Sequence, residues 1–399
     1  MLTLDRVYQA AHTLKGVVRN TEAILSEGIT SHCQLYLKAE NLQITGSFKV
    51  RGAYFKMSTL SQSEKEKGVI ACSAGNHAQG TALSAKKAGI KSTIYIPSVA
   101  PISKIEATKR LGADVKIVDG VYDDAYKAAV IAQKETKSVF IHPFDDEDVI
   151  AGQGTIALEI LDQIRDLDAI VVPVGGGGLI SGISFVVKML YPSCKVYGVQ
   201  AAGANSMCYS LENKKRSCLE KVSTFADGIA VKESGAITYD ICQKYVDEIV
   251  TVTDDEIATA ILTLIEQQKL ISEGAGAGAV AAIMFGKIPV KGKKVCAIVS
   301  GGNIDVNILS RVIARGLLAT GRLSEITIEM LDKPGQLKEV SSIIADMGAN
   351  VTKVRHNFGG ENTDIIGCYL HISMETKNKE HFNEIKKAIE KAGYKIMEV

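Results

Sequence analysis

Residues 45–53 read TGSFKVRGA and set one lysine, Lys49, and one arginine among small residues, with a glycine on either side. Such a lysine is either a solvated cation near a turn or an amine placed to react, as a nucleophile toward an aldehyde or as a base. Three glycine-bearing turns elsewhere bear on that choice. SAGNHAQG carries Ser73, Ala74, Gly75, Asn76 and His77; GGGGL carries Gly175, Gly176, Gly177, Gly178 and Leu179; SGGN begins at Ser300. The four glycines stand between an apolar strand pattern and an apolar helix pattern, where bare backbone N–H groups entering a helix cradle a phosphate. The alternative is a tight packing turn. The motif GxxxxGK[ST] is absent, and no GxGxxG opens a strand–helix unit with an acidic residue at the right distance. The phosphate therefore belongs to something smaller than a dinucleotide. With a lysine available, pyridoxal 5'-phosphate suits both features, since its aldehyde takes an amine and its phosphate a cradle.

These turns need strand ends to hold them. CQLYLKAE, GVIACS, KSTIYIP, ADVKIVD, SVFIHPF, AIVVPV, KVYGVQ, EIVTVT and KVCAIVS read as strands. Helical stretches such as AQGTALSAKKAG, SKIEATKRLG, VYDDAYKAAVIAQKET and GTIALEILDQI alternate with them. Near-continuously apolar strands alternating with helices predict an α/β region of parallel sheets covered on both faces. That many strands are expected to divide between two sheets, because a single twisted sheet rarely exceeds about ten. All three glycine turns fall at carboxyl ends of strands, where open α/β sheets bind ligands. From about 324 to 399 the pattern changes to EITIEML, LKEVSSIIADMG, ANVTKVRHNF, a turn at GGENT, DIIGCYLHISMET, KNKEHFNEIKKAIEKAG and YKIMEV. That is βαββαβ, a ferredoxin-like unit of its own.

Bulk properties exclude several classes of function. The 399 residues suggest two or three domains at roughly 150 residues each. Hydrophobic residues make up 46% and charged residues 23%, with a formal net charge of +1, so no large field is available for nucleic acid or an anionic membrane. The eight cysteines form no CxxC pair and read as reduced thiols of a cytoplasmic protein. The seven histidines show no metal-ligand spacing. MLTLDRVYQAAHTLKG is amphipathic, unlike a signal peptide, and AIVVPVGGGGLI is too short and glycine-broken to span a bilayer.

LKAENLQITGSFKVRGA, SAGNHAQG, GGGGL, EGAGA and SGGN, in this order, resemble the β-family, or fold type II, of pyridoxal phosphate enzymes, and threonine dehydratases within it. The likeness covers about residues 1–320 and implies a two-lobed catalytic region whose small lobe spans about 53–148. The resemblance implies conversion of L-threonine to 2-oxobutanoate and ammonia. L-Serine follows as a second substrate, because a missing methyl changes binding by only roughly 1–3 kcal/mol. Carried over, Lys49 is the Schiff-base lysine and the base for Cα, Phe48 lies against the ring, with a core residue as the alternative, and Asn76 bonds the phenolic oxygen. Gly175, Gly176, Gly177, Gly178 and the N–H of Leu179 hold the phosphate. The turn of Ser73, Ala74, Gly75, Asn76 and His77 takes the substrate carboxylate, with no proton-transfer role for His77. Ser300 faces the pyridine nitrogen; a hydroxyl stabilises a pyridinium poorly, which favours prompt elimination over transamination. Glu273, in ISEGAGA, matches a glutamate near the cofactor, with a helix-start carboxylate as the alternative. Asp227 matches a cation-linked loop, but Ser223 and Thr224 stand where its acidic partner belongs, so no metal is expected. Ala74 stands where serine racemases carry a proton-donating serine, which favours a dehydratase.

In the tail, LDKPGQL followed by MGANVTKV is similar to an ACT domain. This implies an effector amino acid, isoleucine or valine, near Gly335 and Asn350, and a homodimer or homotetramer. A purely dimerising domain is the alternative. Two rival functions stand beside the main one. They are another activity of the same family, such as serine racemase or threonine synthase, and a catalytically inactive amino-acid sensor.

Overall fold

The run AIVVP, Ala169–Pro173, is buried at every position, which marks a strand covered on both faces. It lies inside a six-stranded sheet of the computed structural model, which describes residues 1–358 and 367–397. The strands are β1 Ala23–Leu25, β2 Gln34–Lys38, β3 Val69–Cys72, β4 Ser92–Pro97, β5 Asp114–Val118, β6 Val139–Phe140, β7 Ala169–Pro173, β8 Lys195–Ala201, β9 Glu248–Val252 and β10 Lys294–Ile298. The larger sheet has the order β1-β2-β10-β7-β8-β9 and is parallel except for the antiparallel pair β1–β2. A second, wholly parallel sheet has the order β5-β4-β3-β6. All the apolar runs read as strands are strands; β1 went unread because three residues carry no period. The chain divides into two compact units, Met1–Val306 and Asn307–Val399, and both sheets belong to the first.

Two elements differ from the sequence expectation, each for a local reason. β6 stops at Phe140, because His142 Nδ1 accepts the N–H of Phe144 at 3.3 Å and of Asp145 at 2.7 Å and so closes a turn. The helix Glu147–Gln163 begins before the stretch GTIALEILDQI, because Asp146 caps it by accepting the N–H groups of Asp148 and Val149. Its early turns contain Gly152. A Cβ there would lie 2.6 Å from Gly52 Cα, so this helix and the helix Lys49–Ser58 meet backbone to backbone.

That contact is flanked by buried charge. Arg51 donates from Nε and Nη2 to Glu40 at 2.9 and 2.7 Å, and from Nη1 and Nη2 to Glu159 at 2.6 and 2.9 Å. Lys38 Nζ donates to Glu159 at 2.7 Å, and Thr21 Oγ1 to Glu40 at 2.5 Å. Arg51, Glu40 and Lys38 are each 0% exposed. Burial opposes the charge on Glu40, but the Arg51 guanidinium holds its carboxyl below the usual range.

In the second unit the strands are β11 Leu323–Leu331, β12 Asn350–Phe358, β13 Gly367–Glu375 and β14 Lys395–Met397, with helices Gln336–Asp346 and Lys379–Lys391 between them. Their order, β12-β13-β11-β14, is antiparallel throughout and gives the βαββαβ topology. Ile326, Ile328 and Met330 of β11 are buried in alternation, as a sheet with one covered face requires. The expected turn GGENT lies outside the described residues. No helix among the described residues is long and apolar enough to cross a membrane.

Removing Arg51 from this cluster leaves Glu40 buried without its hydrogen-bonded guanidinium partner. Arg51→Met should therefore destabilise the first unit by about 3–5 kcal/mol. The measurement is the urea unfolding midpoint, and an unshifted midpoint would contradict the assigned pairing.

Candidate active site

Lys49 opens its helix, and the end of β10 fixes where it opens. Ser47 bridges to Gly301, and the Phe48 N–H donates to the Ser300 carbonyl at 3.2 Å. The side chain is half-buried; Nζ donates to the Pro143 carbonyl at 2.9 Å and stands 5.2 Å from the centroid of the Phe48 ring. Burial pushes the amine from the ordinary lysine range down to about 8, against a smaller opposing pull from Glu273. A substantial neutral, nucleophilic fraction at moderate pH follows.

The four glycines leave β7 and enter the helix Gly178–Leu190. Gly177 takes φ +98°, a left-handed conformation that other residues avoid. No described residue accepts a hydrogen bond from the N–H of Gly175, Gly176, Gly177, Gly178 or Leu179. These are free donors at a helix start, the arrangement that suits an anionic oxygen. Residues 142–146 hold the loop from outside. The Phe144 ring lies against Gly176 and the Phe144 backbone and Cβ against Gly178, while the Asp145 carboxylate accepts the N–H groups of Ala236, Ile237 and Thr238. Thr238 Oγ1 in turn donates to the Gly176 carbonyl at 2.6 Å.

Asn76 opens the helix Asn76–Ala88 directly after β3. Its Nδ2 donates to Glu273 Oε1 at 2.5 Å, and its Oδ1 accepts from Asn303 Nδ2 at 2.7 Å. Glu273 occupies the N-cap position of the helix Gly274–Met284, yet its carboxylate makes no cap bond and takes Asn76 instead. Burial and the nearby Asp227 push its carboxyl up to about 7. His77 is buried with Nε2 on the Ile141 carbonyl at 2.8 Å. A carbonyl only accepts, so that nitrogen carries the proton. Burial and Lys49 hold the ring down to about 3, so it stays neutral. Ser73 Oγ accepts the Gly75 N–H at 3.1 Å, which tightens the turn.

Phe48, Lys49, Ser73, Ala74, Gly75, Asn76, His77, Gly175, Gly176, Gly177, Gly178, Leu179, Glu273 and Ser300 border one cavity of about 630 Å³, within the range of small-molecule sites. Asp227 is at its rim, ion-paired with Lys104. Gly335 and Asn350 are elsewhere, in the second unit. Gly335 precedes the helix Gln336–Asp346, and Asn350 Nδ2 donates to Glu375 at 3.0 Å. One group of three possible metal ligands is found among the described residues, Asp332, His356 and Cys368, also in the second unit. Sequence reasoning missed the segment 142–146, which binds both Lys49 and the glycine loop. It also missed Asn303, although SGGN was singled out. Cues were present in the proline after SVFIH and in the polar residue closing SGGN.

The donor set suits pyridoxal phosphate. One amine of lowered pKa faces the cavity that the unpaired N–H groups also border, and Ser300 borders it too. Comparison with known proteins agrees. The family model described as pyridoxal-phosphate dependent enzyme matches residues 14–301. The chain is 48% identical over 400 residues to an L-threonine ammonia-lyase of Thermotoga maritima, covering 99% of each. The structure of the processed form of threonine deaminase isoform 2 from Solanum lycopersicum superposes with a TM-score of 0.73 at 39% identity, over 78% of this chain and 93% of that one. Maize serine racemase superposes with a TM-score of 0.75 at 33% identity, over 79% and 98%. The matched span takes in the lysine, the glycine loop and the asparagine turn alike, and the chain belongs to the pyridoxal-phosphate dependent enzymes of fold type II.

Proposed function

We propose that this enzyme deaminates L-threonine to 2-oxobutanoate and ammonia, and L-serine to pyruvate. The observation that carries the reading is Lys49 Nζ, an amine of pKa about 8 on the cavity that the free N–H groups of the glycine loop border. The full-length likeness to an L-threonine ammonia-lyase supports the choice of substrate. Pyridoxal phosphate, when bound, supplies an aldehyde that condenses with amines and a ring that takes up the electron pair left by a broken Cα–H bond.

The protein supplies the rest. Gly175, Gly176, Gly177, Gly178 and Leu179 hold the phosphate through their N–H groups. Asn76 Nδ2 would donate to the phenolic oxygen, Phe48 would pack against the ring and Ser300 would offer its hydroxyl to the ring nitrogen. The N–H groups of the turn at Ser73, Ala74, Gly75, Asn76 and His77 take the substrate carboxylate. Lys49 Nζ would hold the cofactor's aldehyde at rest, and as a free amine beside the substrate it would take the Cα proton. His77 is held neutral by burial and the nearby Lys49, so it transfers no proton. Ala74 has no proton to give from the opposite side, which separates this site from a racemase. The βαββαβ unit is read as an ACT regulatory domain binding isoleucine or valine near Gly335 and Asn350, in a homodimer or homotetramer. Eight free cysteines suit the reducing cytoplasm.

The purified protein should be yellow, bleach with borohydride, and be colourless as Lys49→Ala; a colourless wild type that pyridoxal phosphate cannot restore would overturn the scheme. Incubated with L-serine, it should release pyruvate and form almost no D-serine, by chiral chromatography, and rapid D-serine formation would refute the role given to Ala74. The apoprotein should capture pyridoxal phosphate faster as pH rises, levelling above about pH 8 as Lys49 loses its proton. A stopped-flow profile still rising toward the ordinary lysine range would contradict the lowered amine pKa.

A further inference from the structure

The two ends of the Asn76 amide have nearly the same shape and opposite chemistry. Which end meets the cavity decides whether the wall there donates or accepts a hydrogen bond. Glu273 cannot fix the choice. Its carboxyl is present in both forms near neutrality, since burial and Asp227 push it up to about 7. An ionised carboxylate accepts from the NH₂ end of an amide, and a protonated one can donate to the oxygen end.

Asn303 does not titrate, and its geometry is over-determined. Its Nδ2 lies 2.7 Å from the Thr45 carbonyl and 2.7 Å from Asn76 Oδ1. The Thr45 carbonyl is backbone and only accepts, so the end of Asn303 that faces it is the NH₂ end. That NH₂ has two protons and serves both partners. The Asn76 atom facing it must therefore be the oxygen. Asn76 Nδ2 is left to give one N–H to Glu273, and no described residue accepts the other. Gly302, beside Asn303, donates its N–H to the Gly46 carbonyl at 2.8 Å, so the SGGN turn is pinned to the segment leading to Lys49.

We propose that Asn303 is a positioning residue: it holds the Asn76 amide with its N–H side toward the cavity, where it meets an anionic oxygen of the cofactor. This rests on the reading that the cavity takes pyridoxal phosphate with its phenolic oxygen near Asn76. Without Asn303 the amide can invert and present a carbonyl oxygen to the phenolate, so a favourable contact becomes a repulsive one.

A double-mutant cycle on the full-length protein tests this, with pyridoxal phosphate affinity and the absorption maximum of the bound cofactor as readouts. Asn303→Ala should weaken pyridoxal phosphate binding about tenfold, the scale of one hydrogen bond, and shift the absorption maximum. In an Asn76→Ala background the same change should add almost nothing. Asn303→Asp keeps the shape but offers only acceptors, so it should turn the Asn76 amide over and do at least as much harm. It also decides the matter if the alanine variant does not fold. Equal losses in both backgrounds, or an Asn303→Asp protein with wild-type affinity and spectrum, would overturn the positioning role while the proposed function stands. A wild type that binds no pyridoxal phosphate would overturn both.

Discussion

Arg51 and Glu40 pair where water does not reach, and the placement of Lys49 two residues earlier depends on that pairing. Buried charges tolerate few geometries, because an ion that loses its partner has no solvent to fall back on. The guanidinium takes Glu40 on one side and Glu159 on the other, and Lys38 balances the remaining charge. Lys38 ends β2, Glu40 follows it, and Glu159 comes from the helix Glu147–Gln163, so two stretches of chain are locked to the first turn of the Lys49 helix. The reactive amine leaves the opposite side of that turn, toward the cavity.

From there the site is built by carboxyl ends of strands meeting in one place. β3 delivers Asn76, β7 the glycine loop, and β10 Ser300 and Asn303. The segment after β6 closes the arrangement, giving a carbonyl to Lys49 and an aromatic ring to Gly176. Electrostatics follow from burial more than from net charge. The same dry surroundings lower the amine of Lys49, keep His77 neutral and raise the carboxyl of Glu273. These three groups are tuned toward neutrality by their surroundings, while the N–H groups of the glycine loop supply positive potential that no change of pH removes.

Much of this was legible in the chain itself. Apolar β-branched runs identified the strands, because a strand covered on both faces leaves little place for polar residues. Glycine turns after those runs located the cavity wall, because only a bare backbone can serve as its own ligand. What stayed hidden was long-range and polar. Nothing local says that Arg51 would find Glu159, more than a hundred residues away, or that Asn303 would reach Asn76. The length of β6 depended on a histidine nitrogen accepting backbone N–H groups, a feature without any periodic signature. The early start of the helix Glu147–Gln163 was masked by its internal glycines, which usually argue against a helix.

Those glycines have a consequence of another kind. Pro143 meets the amine of Lys49, and nine residues later Gly152 meets the backbone of the helix that Lys49 begins. One continuous stretch of chain therefore touches the reactive residue at its tip and its supporting helix at its base, like a caliper. Between the two jaws Asp145 holds the N–H groups of Ala236, Ile237 and Thr238, and Asp146 caps the helix and so sets where it starts. The number of residues between the jaws is fixed as well, because one residue more or fewer would rotate the helical jaw by about 100° and separate the backbones. Over 143–152 the fold constrains a count as well as a composition.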